Sequence, residues 1–263
     1  MVMNQRASPR SGVFTTIAWN GGCKVANLDS HIRRMVEHAD RLRITLPNDF
    51  EQQIMEKLNH FSENIDPDDL TPRNLIRLSF EPNQENQLTA ESRKISSRNI
   101  IADCITVSAP FWTKSATGCK HGDWQPYRDA MQEAFSRGAD FSLLVKDFKI
   151  IDADRATPVV LDLDGVAYFP RIEDGGVSSI TLEKISAGIM KMGIPLKEGD
   201  LNEKTVARCR EMILVGTGIG VCQVDSIDGV EFEQQSNTLF KIAKNALEQH
   251  YSDPATWTEI GGN

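Results

Sequence analysis

The chain has no Cys-x-x-Cys pair, no apolar run of membrane-spanning length and no excess of basic residues, and each absence removes a class of function. Its five cysteines (Cys23, Cys104, Cys119, Cys209, Cys222) are odd in number and scattered. That favours free thiols in a reducing compartment over a disulfide frame or a zinc site. A net charge of -8 argues against nucleic acid or an anionic membrane as a partner, so any anionic ligand needs a local positive site. No signal-peptide core follows the first methionine, and a cytoplasmic location is expected, with an organelle stroma or matrix also compatible. The first eleven residues, MVMNQRASPRS, carry no acid. They read as a short disordered tail, with a transit-peptide fragment as the alternative. Internal repeats and low-complexity segments are absent too.

What is present is an ordinary globular composition, 40% hydrophobic and 25% charged over 263 residues, enough for one large domain or two modest ones. The densest pattern lies between Gly12 and Pro47. Val13 to Trp19 is β-branched and aromatic, Asn20-Gly21-Gly22 supplies a hairpin turn, and Cys23 to Leu28 reads as the returning strand. Asp29 can cap a helix whose apolar positions Ile32, Met35, Val36, Ala39 and Leu42 follow the 3.6-residue period. His31, Arg34, His38 and Arg41 form a basic stripe on another face, which spacing alone assigns to solvent.

Further on, a second helix is expected over Phe50 to Phe61, a loop over Ser62 to Arg73, and strands over Leu75 to Phe80 and Ile100 to Ser108. Glu81 to Arg98 is polar and reads as a long connection. Pro126 opens a helix that Gly138 closes. Short strands follow over Phe141 to Val145, Lys149 to Ile151, Pro158 to Leu163 and Val166 to Phe169, with Asp164-Gly165 as a hairpin turn. A helix spans Thr181 to Met192, strands span Glu211 to Val215 and Val221 to Ile227, and a last helix runs from about Asn237 to Tyr251. Helices and strands mix without strict βαβ alternation, so the class is α+β with two lobes. The expected division is an N-terminal lobe 1–111, a linker 112–119 and a larger lobe 120–263.

Gly12-x-Phe14-Thr15-Thr16, a glycine hairpin and His31-x-x-Arg34-Met35 on a helix resemble, in that order, the class IV (fold type IV) pyridoxal-phosphate aminotransferases. That group includes branched-chain and D-amino-acid aminotransferases and 4-amino-4-deoxychorismate lyase. The resemblance covers Gly12 to the C-terminus; the family's opening strand and Asp-Arg-Gly segment have no counterpart ahead of Gly12. It implies that Arg34 binds the cofactor phosphate, a task suited to a planar, permanently charged fork. Lys120 precedes a helix ending Glu133-Ala134-x-x-x-Gly138-Ala139-Asp140, as the family's Schiff-base lysine does, although Lys-x-x-Asp-Trp replaces the usual Lys-x-x-Asn-Tyr. The chemistry needs an amine that condenses with an aldehyde and then serves as a general base.

The family's Gly-Ile-Thr-Arg phosphate turn becomes Ser179-Ile180-Thr181-Leu182 at a helix start, where unpaired N–H groups favour an anion; serine capping is the local alternative. Gly216-Thr217-Gly218 resembles the second phosphate turn, with Thr217 and Gly218 as its binding residues. The acid that protonates the pyridine nitrogen falls on Asp152 when counted from Gly138, and on Ala153 when counted back from Asp164-Gly165. A carboxylate is required, so Asp152 is preferred, while a turn shaped by Asp152 and Asp154 is the alternative. For substrate, Phe14 stands where many family aminotransferases have tyrosine and matches the lyase subgroup. Leu75-Ile76-Arg77-Leu78 is similar to the branched-chain Tyr-Ile-Arg-Pro, whose arginine helps bind a carboxylate; on its own, Arg77 is expected on an exposed strand face. The resemblance implies pyridoxal 5'-phosphate as cofactor, a small amino donor or acceptor as substrate, and a homodimer. It implies amino-group transfer or β-elimination, with a non-catalytic homologue as the contrasting reading.

Overall fold

The computed structural model of the protein describes residues 8–61, 66, 68–95, 100–232 and 236–261. The first seven residues of the expected tail, and parts of the Ser62–Arg73 and Glu81–Arg98 connections, lie outside the described residues. Two compact units share the chain: Met1–Ile95 with Thr113–Gln125 and Tyr251–Asn263, and Ser96–Trp112 with Pro126–His250. The segment that carries Lys120 therefore belongs to the first unit, where the expected division had begun the second lobe.

The strands of the first unit are β1 (Val13–Trp19), β2 (Lys24–Ala26), β3 (Asn74–Phe80), β4 (Leu88–Lys94) and β15 (Trp257–Glu259); its helices are α1 (Leu28–Leu42) and α2 (Phe50–Leu58). They form one antiparallel sheet in the order β15-β2-β1-β3-β4. β1 and β3 are buried on both faces, which is why Val13 to Trp19 reads as a nearly continuous apolar and β-branched run. Ile17, Met35, Leu42, Ile54, Leu58, Ile76, Leu78 and Phe80 are fully buried, each contributing about 1.5–3 kcal/mol by removal from water.

Several expectations change here. α1 starts at Leu28, after Asn27 in the left-handed region, so Asp29 sits inside the first turn rather than capping it. Val36 is exposed, and α2 ends at Leu58, short of Phe61. β4 lies in the stretch expected to be a connection. It is an edge strand whose side chains mostly face water, so hydrophobic periodicity could not reveal it.

The second unit holds β5 (Ile101–Ser108), α3 (Gln125–Ser136), β6 (Phe141–Lys146), β7 (Lys149–Ala153), β8 (Thr157–Leu161), β9 (Ala167–Pro170) and α4 (Ile180–Lys191). It continues with β10 (Leu196–Gly199), β11 (Leu201–Asn202), α5 (Glu203–Ala207), β12 (Glu211–Gly216), β13 (Gly220–Ile227), β14 (Val230–Glu231) and α6 (Thr238–Ser252). A ten-stranded sheet runs β10-β9-β8-β12-β13-β5-β6-β7-β11, with β14 on β13. It curls into a nearly closed barrel around Leu143, Val160, Met212, Leu214 and Cys222. This mixed α+β architecture is the one expected. Among the described residues no helix is long and apolar enough to cross a membrane.

Candidate functional site: a cationic cluster and an acid-and-hydroxyl cluster

In the first unit, the segment around Lys120 is stitched to the start of β1. The Phe14 N–H donates to the Lys120 carbonyl at 3.2 Å, Val13 bridges His121, and the Gly122 N–H donates to the Gly12 carbonyl at 2.8 Å. The approach requires glycine: a Cβ on Gly122 would lie 2.8 Å from the Gly12 nitrogen. Lys120 is half-buried, with Nζ 4.7 Å from the Trp124 ring centroid and 5.2 Å from that of Phe14. Phe14 and Trp124 meet edge to face, 5.0 Å between centroids. The amine therefore rests on two aromatic faces, a favourable place for a cation.

The stripe on α1 faces the protein, not solvent. His31, Arg34 and His38 are at most 8% exposed, and only Arg41 lies at the surface. Arg34 Nη2 donates to Thr15 Oγ1 at 2.8 Å, and that hydroxyl meets His31 Nδ1 at 2.7 Å. The threonine hydroxyl thus joins the guanidinium to the His31 ring, with the direction of the second bond set by the ring's tautomer. Arg41 Nη2 reaches the Thr117 and Lys114 carbonyls, tying α1 to the Lys120 segment. The Lys120 N–H donates to His38 Nδ1 at 3.1 Å. Burial, then the charges of Arg34, Lys120 and Arg41, hold His38 down at about 3, and burial holds His121 at about 4. Both rings are neutral at neutral pH.

Arg77 is half-buried rather than exposed. Its guanidinium carbon lies 3.9 Å over the Phe14 ring, and its Nε donates to Ser79 Oγ at 3.0 Å. The first unit thus gathers Lys120, Arg34, Phe14 and Arg77 around one end of β1. Sequence reasoning missed Thr15, His38, His121 and Trp124 as their neighbours. The signal for His38 was its place in the α1 stripe, four residues beyond Arg34.

In the second unit, Asp152 lies on β7, 4% exposed, and its Oδ2 accepts the Val177 N–H at 3.2 Å. Val177 belongs to the loop leading into α4, and Gly176 lets that loop press on β7: a Cβ there would sit 2.6 Å from the Ile151 carbonyl oxygen. Both Asp152 and Asp154 are buried. Asp154 pairs through both oxygens with Arg155 Nη1, at 2.9 and 3.0 Å, and accepts the Ser142 N–H at 3.1 Å. Burial nevertheless pushes its carboxyl up to about 6.

Ser179 is the N-cap of α4, its Oγ accepting the Leu182 N–H at 3.2 Å. Ile180 and Thr181 are the first helical residues, whose amides lack intrahelical partners. Thr181 Oγ1 stands 3.4 Å from Thr217 Oγ1, on the turn that Thr217 shares with Gly218. Two hydroxyls beside a helix N-terminus form a donor set for an oxyanion.

The family described as amino-transferase class IV matches residues 12–227 of the chain. Similar solved structures include a branched-chain aminotransferase from Thermoproteus uzoniensis with norvaline, at TM-score 0.77 and 20% identity, covering 95% of this chain and 90% of that one. A branched-chain amino acid aminotransferase from T.th., complexed with N-(5'-phosphopyridoxyl)-L-glutamate, aligns at TM-score 0.78 and 18% identity, covering 95% and 89%. A Legionella pneumophila protein provisionally described as a 4-amino-4-deoxychorismate lyase aligns at 0.73 and 20% identity, covering 91% of each chain. No curated protein matches the sequence.

Proposed function

We propose, on the premise that the chain belongs to the class IV aminotransferase family and shares its use of pyridoxal phosphate, that it moves the amino group of a small carboxylate-bearing amine. The observation that carries this reading is the Lys120 amine seated on Phe14 and Trp124, in the same unit as buried Arg34. Each unit, taken by itself, carries groups that suit one part of the cofactor. The first unit offers an amine for its aldehyde and a guanidinium for its phosphate. The second offers a buried carboxylate, Asp152, for the ring nitrogen, and Ile180, Thr181 and Thr217 for phosphate oxygens, with Ser179 and Gly218 shaping those turns.

When bound, the cofactor supplies an electron sink for the substrate Cα. Lys120 would hold the aldehyde and move the Cα proton, and Arg34 would hold the phosphate end. Arg77, held over Phe14 by stacking and by Ser79, presents a cation to a substrate carboxylate. Apolar Phe14 and Trp124 exclude water around the amine.

A second reading, elimination from 4-amino-4-deoxychorismate, is favoured by Phe14, which brings no hydroxyl to the substrate. Support for a homodimer comes from the family resemblance alone, and a reducing compartment is consistent with five free thiols. The test is a spectral titration with pyridoxal phosphate followed by an amine-donor screen. A yellow protein whose colour is lost in Lys120→Ala, and which needs a 2-oxo acid acceptor, is the expected result. Pyruvate formed without an acceptor gives the lyase, and a protein that stays colourless sinks both readings.

A further inference from the structure

We propose that His38 is a positioning residue: its neutral ring accepts the Lys120 backbone N–H on Nδ1 and so fixes the peptide that carries the Lys120 amine. The proposal rests on the reading of Lys120 as the reacting amine and adds to it the group that sets where that amine stands.

The geometry is a clamp on one peptide segment. The Lys120 carbonyl is held by the Phe14 N–H, and the Lys120 N–H by His38 Nδ1 at 3.1 Å. One turn further along α1, Arg41 grips the Thr117 carbonyl. His38 is 4% exposed and packs where α1 meets the Lys120 segment. The charged and titratable groups facing its ring are Arg34 and Arg41 from its own helix, and Lys120 and His121 from the segment. All are cations or neutral bases, so a proton on His38 would meet both burial and like charge.

The residue type follows from what the place requires. The Lys120 N–H needs an acceptor, and a carboxylate would be the strongest one. A carboxylate would also bring a negative charge beside Arg34 and Lys120, competing with any phosphate for Arg34 and favouring the protonated amine. A neutral imidazole supplies the lone pair without the charge. With Nδ1 accepting, the tautomer must carry its proton on Nε2.

The test starts on the unliganded full chain, by NMR of the His38 ring nitrogens from pH 5 to 9. An Nε2–H tautomer throughout is expected; an Nδ1–H tautomer, or a midpoint near 6.5, overturns the proposal. Amide exchange at Lys120 should be at least ten-fold faster in His38→Leu than in wild type, with Ile17 unchanged as a folding control, and His38→Asn should restore protection. Pyridoxal phosphate affinity, read by the yellow colour, should fall about ten-fold or more in His38→Asp while Lys120 amide protection is kept. Equal affinity in His38→Asp and His38→Asn would remove the argument for a neutral acceptor. Wild-type protein that stays colourless would sink the role of Lys120 while leaving the ring measurement to decide the clamp.

Discussion

The two units bury ionisable groups in opposite ways. In the second, Asp154 is enclosed with Arg155 and a backbone amide, and the Glu211 carboxylate accepts the Leu239 and Phe240 N–H groups at the start of α6. In the first, the cations Arg34 and Lys120 and the neutral rings of His38 and His121 share one neighbourhood. Paired burial helps to specify a fold; cations gathered beside uncharged rings oppose folding and make sense as provision for an anion. Acid separates the two arrangements. The histidines have folded midpoints of about 3 and 4, below the ordinary 6.5, so the unfolded chain takes up protons first and stability falls as pH drops from 6.5. Asp154, raised from 3.8 to about 6, is protonated first in the folded state, so stability from this group rises as pH falls from 6 toward 3.8.

The hardest blow to this contrast should come from Lys120→Ala. Turnover is expected to fall about 10⁴-fold or more, with the colour lost and the melting of the second unit unchanged. If colour survives, another amine holds the cofactor. Arg34→Ala is expected to weaken retention of pyridoxal phosphate by about 10- to 100-fold, read by spectral titration, as one charge-assisted contact is lost. It should also let His38 titrate higher, because Arg34 is the largest charge holding it down. An unchanged affinity would move the phosphate site elsewhere.

Asp154→Ala leaves Arg155 without its carboxylate and should cost about 2 kcal/mol in the second unit, measured by denaturant unfolding, while Lys120 still forms colour. Equal loss of colour would mean that this network supports the cofactor acid as well. The mildest effect is the acid limb. Each histidine should cost up to about 1.4 kcal/mol per pH unit below 6.5. Tryptophan emission follows it in the first unit, which holds Trp19, Trp124 and Trp257. His38→Asn should flatten that slope.

Much of this was legible in the residues, for identifiable reasons. β1, α1, α4 and the β12–β13 hairpin have strong periodicity or punctuation, and the structure places them within a residue or two of expectation. β4 and β15 were not visible, because short polar edge strands are defined by their partners rather than by their own pattern. The order of motifs singled out Lys120, Arg34, Thr181 and Thr217 as candidates. It could not show that the α1 stripe is buried, because a stripe of basic residues reads the same facing water or facing a ligand. Nor could it show that Arg77 stacks on Phe14, a contact made by pairing Thr16 with Arg77 across two strands distant in sequence.

The threading of the chain carries a consequence for biosynthesis. The first unit is assembled from three separated stretches, the last beginning at Tyr251. β15 closes the sheet edge on β2, and the Ile260 N–H donates to the Cys23 carbonyl at 2.7 Å. A nascent chain arrested before Tyr251 therefore leaves the ribosome with β2 as an open seam. The lysine, already synthesised by then, waits on a sheet whose β2 edge is covered only once β15 emerges.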